Sequence, residues 1–214
     1  LKVEPYLQLL YDIPVIPDSS YSVINMEADW YFTDKLSNKG TGTNIGIDVT
    51  LERFLVNGYY YLFTASLYDS KYVGGDNIER TTRFNGNYVV NLLVGKEWML
   101  GAEKNKVFGA NARLNVMGGQ RMTPVDETSS LNYGDVVYDY NKLFESQKPT
   151  VYYLHASMSY RVNKKNYSGI WSLQVMNGLG SKQFYGYSYN KRTQSIDEDA
   201  VVVVVPSISY KIEF

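Results

Sequence analysis

The chain closes on Val201-Val-Val-Val-Val-Pro-Ser-Ile-Ser-Tyr-Lys-Ile-Glu-Phe214, and this stretch decides the fold. From Val202 the even positions read Val202, Val204, Pro206, Ile208, Tyr210, Ile212 and Phe214, whereas Ser207, Ser209, Lys211 and Glu213 occupy the odd ones. A period of two marks a strand with one apolar and one polar face. A soluble sheet rarely ends on an apolar stripe and an open edge, because that combination invites aggregation. A bilayer on one side and water on the other suits it, since transmembrane strands alternate in this way over about ten residues. The expected fold is all-β, an antiparallel transmembrane β-barrel.

The composition agrees. Tyr occurs 21 times among 214 residues, and with 8 Phe and 3 Trp the aromatic share reaches 15%, which fits the aromatic girdles of a membrane barrel. A formal net charge of −1 and a pI near 5.9 provide no basic face for nucleic acid, which is excluded as a partner. With no Cys there is neither a disulfide framework nor a thiolate metal site. No apolar run reaches the length of a transmembrane helix. The mean hydropathy of −0.29 does not separate a soluble protein from a barrel, half of whose strand residues face water. The opening Leu1-Lys-Val-Glu-Pro5 has no Met, basic segment or apolar segment of an export signal, as expected of a processed chain or a fragment.

Residues 1–10 alternate Leu1, Val3, Leu7 and Leu9 with Lys2, Glu4 and Gln8 and read as a strand. Residues 11–43, with Pro14, Pro17 and the Asn38-Lys-Gly-Thr-Gly42 cluster, read as loop. A strand over 44–55 sets Ile45, Ile47, Val49 and Leu51 against Gly46, Asp48, Thr50 and Glu52, and Asn57-Gly58 turns the chain into a strand over 59–68. A two-residue loop would oppose Leu51 to Thr64. A three-residue loop, Val56-Asn57-Gly58, pairs Leu51 with Phe63 and Val49 with Ala65, which predicts a type I turn with Gly58 in a G1 bulge. Further strands are expected over 88–98, 106–117, 151–163 and 168–176, with short turns at 101–105 and 164–167. The stretches 69–86 and 118–150, and about twenty residues before the final strand, read as loops.

The count is about eight strands, and their connections alternate long and short throughout. Short periplasmic turns and longer extracellular loops are the pattern of outer-membrane barrels, whereas a sandwich or a lipocalin has no reason to gather every long loop at one end. The carboxyl terminus is accordingly expected on the periplasmic side of a bacterial outer membrane, with the turns at 56–58, 101–105 and 164–167.

An ordered series of motifs also resembles a known family. Asn38-Lys-Gly-Thr-Gly-Thr-Asn44, Leu51-Glu-Arg-Phe-Leu55, Tyr59-Tyr-Tyr-Leu-Phe-Thr-Ala-Ser-Leu-Tyr-Asp-Ser-Lys-Tyr72, Phe84-Asn-Gly-Asn-Tyr-Val89, Gly118-Gly-Gln-Arg-Met-Thr-Pro-Val-Asp126 and Pro206-Ser-Ile-Ser-Tyr-Lys-Ile-Glu-Phe214 together look like the carboxy-terminal barrel of Bacteroidetes-type TonB-dependent outer-membrane transporters. The resemblance runs through essentially all of residues 1–214, one barrel segment. It implies a plugged barrel of roughly 22 strands, of which these residues form about the last third, and the family's plug and TonB-engaging segment have no counterpart in them. It also implies active nutrient uptake without bond chemistry or cofactor. The implied partners are outer-membrane lipids, the TonB complex through a missing amino-terminal region, the barrel-assembly machinery and a surface lipoprotein lid. Tyr210, Ile212 and Phe214 resemble the assembly signal of such barrels.

Strand parity directs Asp48, Glu52, Asn111, Arg113, His155, Arg161 and Gln174 toward the lumen, where they are candidates for contact with substrate or plug. His155, the one histidine, lies near Ser157 and Ser159, so a serine hydrolase is the competing enzymatic reading. It needs a carboxylate such as Asp48 or Glu52 to orient the ring. One His and no Cys leave no transition-metal set, and the loop around 72–87 lacks the spaced acids of a calcium loop. Most of Tyr59, Tyr60, Tyr61, Trp98, Tyr152, Tyr160, Trp171 and Tyr210 read as membrane-interface anchors or strand-packing residues. Tyr133, Tyr138 and Tyr140 of the long loops read as ligand platforms, and Arg121 as a structural residue. A self-contained small barrel with a structural or adhesive role is the alternative.

Overall fold

A computed structural model describes residues 1–26 and 34–214. Eight long strands carry the fold: β1 (Lys2–Val15), β2 (Ser37–Val56), β3 (Tyr59–Val73), β5 (Tyr88–Leu100), β6 (Lys106–Met117), β9 (Val151–Asn163), β10 (Ser168–Met176) and β13 (Val205–Glu213). Between them lie the short strands β4 (Glu79–Thr81), β7 (Arg121–Met122) and β8 (Ser146–Gln147), the hairpin β11 (Lys182–Asn190) and β12 (Ser195–Val202), the α-helix α1 (Glu127–Tyr133) and two single-turn 3-10 helices. The long strands form a single antiparallel meander in the order β1-β2-β3-β5-β6-β9-β10-β13, with β4 added to β3. Among the described residues no ladder joins β1 to β13, so the sheet keeps two open edges.

Apart from irregularities in the β1–β2 and β2–β3 ladders the register is continuous across the sheet, so the alternation of each strand adds up to two whole faces. Ile47 pairs with Leu67 and Leu51 with Phe63, Leu92 with Leu114, Leu114 with Leu154, and Leu173 with both Met158 and Ile208. The opposite face carries Asn91 against Asn115 and Ser159 against Ser172 against Ser209. Near the short turns the apolar face bears an unbroken aromatic row over five strands. Trp98 pairs with Phe108, Phe108 with Tyr160, Tyr160 with Trp171 and Trp171 with Tyr210. The rings touch: Trp98 and Phe108 centroids lie 5.5 Å apart and those of Trp171 and Tyr210 4.5 Å apart. Lys96 snorkels along the row, its ammonium 4.2 Å from the Tyr59 centroid.

Neither face is covered. Leu173 is 47% exposed and Ile208 73%, and the chain exposes 14327 Å² where a compact monomer of its mass would expose roughly 10,000 Å². The buried side chains lie elsewhere, at the long-loop end, where Val15, Tyr72, Thr82, Asn85 and Ser130 are closed off from solvent.

Several expectations are corrected. Strand β1 runs on to Val15 and β2 starts at Ser37, so most of both ends of the expected loop over 11–43 are strand; its portion at 27–33 lies outside the described residues. The misleading signal is Gly40, where glycine answers a close approach and not a turn, since a Cβ there would sit 2.5 Å from Val15 Cγ1 and 2.9 Å from the Ile13 carbonyl oxygen. The first hairpin has the expected register, Leu51 with Phe63 and Val49 with Ala65, but a different turn. Asn57 and Gly58 both adopt positive φ, 54° and 80°, between paired Val56 and Tyr59. That is the two-residue, type I′ geometry, and the extra residue is absorbed by an irregularity between Arg53 and Val56. The valine run is also divided, Val201 and Val202 ending β12 and Val205 opening β13. The expected long loops contain β4, β7, α1, β8 and the β11–β12 hairpin.

Candidate functional site

All seven polar residues expected on one face lie on it, but the register divides them. Asp48 accepts a hydrogen bond from the Ser66 hydroxyl on β3. Glu52, four residues nearer the short turns, borders a hollow with Arg53, Tyr60 and Glu97. Arg161 stands 3.5 Å from Glu213 of β13. The remaining four meet in mid-sheet, where Asn111 pairs with Ser157, Arg113 with His155 and Gln174 with Ser157. Together with Leu93 they line a concavity of about 170 Å³.

This concavity has the chemistry of a polar binding surface. Amide, guanidinium, imidazole and hydroxyl groups converge there, and none of the lining residues is acidic. His155 lies 6.2 Å from the Tyr153 ring, and its Nδ1 has no hydrogen-bond partner among the described residues. Asp48 and Glu52, both on β2, stand four strand spacings away, about 19 Å along the sheet. The carboxylate that a serine hydrolase needs to orient the ring is therefore not beside it. Elsewhere on this face short side chains clasp neighbouring strands. Asn44 donates to Gln8 at 2.9 Å and accepts from Ser70 at 2.6 Å, and Asn91 donates to Thr64 at 3.0 Å and accepts from Asn115.

A second site lies at the long-loop end, where three connections fold against each other. Tyr72 donates to the Ser20 carbonyl at 3.0 Å, the Arg83 N–H to Asn25 at 2.9 Å, and Gln147 to the carbonyls of Gly86 and Gly119. Arg121, expected as a structural residue, donates to the Asn85 carbonyl at 3.1 Å and to Asn87 Oδ1 at 2.7 Å. Asp126 caps α1, its carboxylate accepting from the N–H and hydroxyl of Ser129, and the Ser129 hydroxyl above all holds its pKa down. Asp76 and Arg80 form a two-pronged pair at 2.8 and 3.0 Å. That bonding is the main cause keeping the Asp76 carboxyl below its ordinary range and the guanidinium above its own.

Between these connections opens a cleft of about 240 Å³, lined by Tyr138 and Tyr140, two of the three expected loop platforms. The third, Tyr133, is 80% exposed on α1 and does not border it. Sequence reasoning missed the cleft's Arg83, Lys148 and Tyr185, which lie in different connections with no motif joining them. At the opposite end of the sheet, Tyr210 packs on Trp171, Ile212 opposes Gly169, and Phe214 is fully exposed beyond β13.

Comparison of the chain with protein-family models, with curated proteins and with solved structures found no match in any of the three.

Proposed function

We propose that these residues form the carboxy-terminal barrel portion of an outer-membrane TonB-dependent transporter, a receptor for active nutrient uptake. The observation that carries the reading is the continuous apolar face, open to solvent and bordered by the Trp98-Phe108-Tyr160-Trp171-Tyr210 row. Exposed apolar area of this extent marks a membrane or protein contact, and amphipathic rings favour the headgroup zone. Dimensions support it. From Trp98 to Tyr88 on the same face of β5 is about 33 Å along the strand. At a tilt of about 40° that spans some 25 Å, the height of an outer-membrane apolar band.

Two open edges favour a larger barrel over a self-contained eight-stranded one, because only closure satisfies edge groups in lipid. In such a transporter the polar face looks onto the lumen and plug, the loop end faces the medium, and the inner-membrane proton gradient supplies energy through TonB. The assembly machinery reads the terminal strand, and a surface lipoprotein is a fitting lid for the loops.

The test is the intact mass of the native polypeptide from isolated outer membranes. A membrane-integral species several times 24.5 kDa is expected. A species of about 24.5 kDa that resists SDS unheated would transfer the reading to the small barrel, and a species washed off membranes by carbonate would overturn both.

A further inference from the structure

At the short-turn end of the sheet, carboxylates and a set of lysines stand on different faces. Lys96 of β5 pairs with Tyr59 and Ala110, and Lys106 of β6 with Leu100 and Val162, so both share the apolar face with the aromatic row. Lys164 directly follows β9, whose Tyr160 and Val162 are on that face, and its ammonium lies 5.2 Å from the Tyr167 ring centroid. The acids are placed otherwise. Glu97 pairs with Gly109 and Glu213 with Ser168 on the polar face, where Glu213 is bridged to Arg161 and Lys211. Glu103 lies in the turn at 101–105 next to Lys104. Among the described residues none of the three lysines has a carboxylate partner. Lys71, of the same parity near the long-loop end, is by contrast flanked by Asp69 at 3.8 Å and Glu79 at 3.4 Å.

Their depth fixes what these ammonium groups meet. Lys106 is one same-face step beyond Phe108, about 7 Å along the strand, and Lys164 is two steps beyond Tyr160. Lys96 stands one step inside Trp98 and bends back, its ammonium 5.0 Å from the Trp98 centroid and donating to the Tyr59 hydroxyl. Each aliphatic stem thus runs along apolar surface while the charged head reaches the level of the rings or beyond. In a bilayer that level is the headgroup zone. A lysine ammonium is a compact charge with three donors, suited to phosphate oxygens.

We infer that Lys96, Lys106 and Lys164 form a belt that binds the phosphate headgroups of anionic phospholipids in the leaflet at the short-turn end. The inference rests on the transmembrane reading of the apolar face and adds the lipid that this rim selects. A basic residue close to an anionic leaflet contributes about fivefold in binding.

The experiment uses the native protein, extracted from outer membranes and reconstituted into phosphatidylcholine containing acyl-brominated phosphatidylcholine or acyl-brominated phosphatidylglycerol. Bromine quenches tryptophan on contact, and the difference in fluorescence from a Trp98→Phe variant isolates Trp98. Phosphatidylglycerol is expected to bind there about tenfold tighter than phosphatidylcholine, and the preference should shrink at about 0.5 M salt. Lys106→Gln with Lys164→Gln should reduce it to about twofold, whereas Lys71→Gln should leave it unchanged. Quenching by brominated phosphatidylcholine, equal in all variants, certifies their insertion. Equal binding of the two lipids overturns the inference and leaves the transmembrane reading standing, as does a preference that survives the double substitution. No quenching by either lipid overturns both.

Discussion

The meander and the loop cap solve the burial problem in opposite ways. The eight long strands pair side by side along the sheet and leave apolar side chains such as Leu173 and Ile208 bare, a face that an apolar medium covers in the proposed transmembrane reading. The cap is polar and closed: Asn85, Thr82 and Ser130 are almost without solvent exposure, and their partners are Asp69, Ser70 and the Asp126 carbonyl. Burial of polar groups costs little when each is hydrogen-bonded. One region is therefore specified by pattern and solvent, the other by individual partners, and they should fail separately.

The largest expected effect comes from breaking the solvent match of the sheet. Leu173→Arg should cost about 2–4 kcal/mol in a bilayer, whereas Ser157→Arg on the other face of the same sheet should cost far less. Unfolding of both variants from lipid vesicles, followed by tryptophan fluorescence, checks this; equal costs would mean that the two faces meet the same solvent. Next is the cap. A Cβ on Gly118 would lie 1.7 Å from the Gly86 carbonyl oxygen, a backbone atom that cannot swing aside. Gly118→Ala should destabilise the cap by about 1–3 kcal/mol, exposing residues 118–150 to protease while the sheet keeps its strand signal in circular dichroism. Simultaneous loss of both would dissolve the distinction.

The smallest effect sharpens it. The Asp76 carboxyl is held below its ordinary value of 3.8, chiefly by Arg80. Its contribution is complete above that ordinary value and disappears as pH falls from there through the lower folded value. Proteolysis within residues 74–87 by an acid-active protease should rise over that window, and Asp76→Asn should flatten the rise. A sheet signal that moved in the same window would count against independent failure.

How much was legible follows the same division. Strands β6, β9 and β10 follow from alternation alone, and so does the Leu51–Phe63 register, because a slip of one residue turns every apolar side chain to the wrong face. The shared face of Asn111, Arg113, His155 and Gln174 was legible for that reason. Their meeting in one concavity was not, since parity states which way a side chain points and not which row it occupies. Gly40 and Gly42 misled because glycine marks a close backbone approach as readily as a turn. The cleft cations were invisible because Arg83, Arg121 and Lys148 are brought together by hydrogen bonds between loops.

By itself the sequence determined an all-β chain with two-faced strands, all its long connections at one end, and an aromatic surplus on the apolar parity. Those properties are local, fixed by a two-residue period and by turn chemistry. Only the tertiary structure decided that among the described residues no ladder joins β1 to β13, that five aromatic residues align in one row, and that three loops border one cleft. These depend on register and on contacts between residues far apart in the chain, which no local pattern encodes.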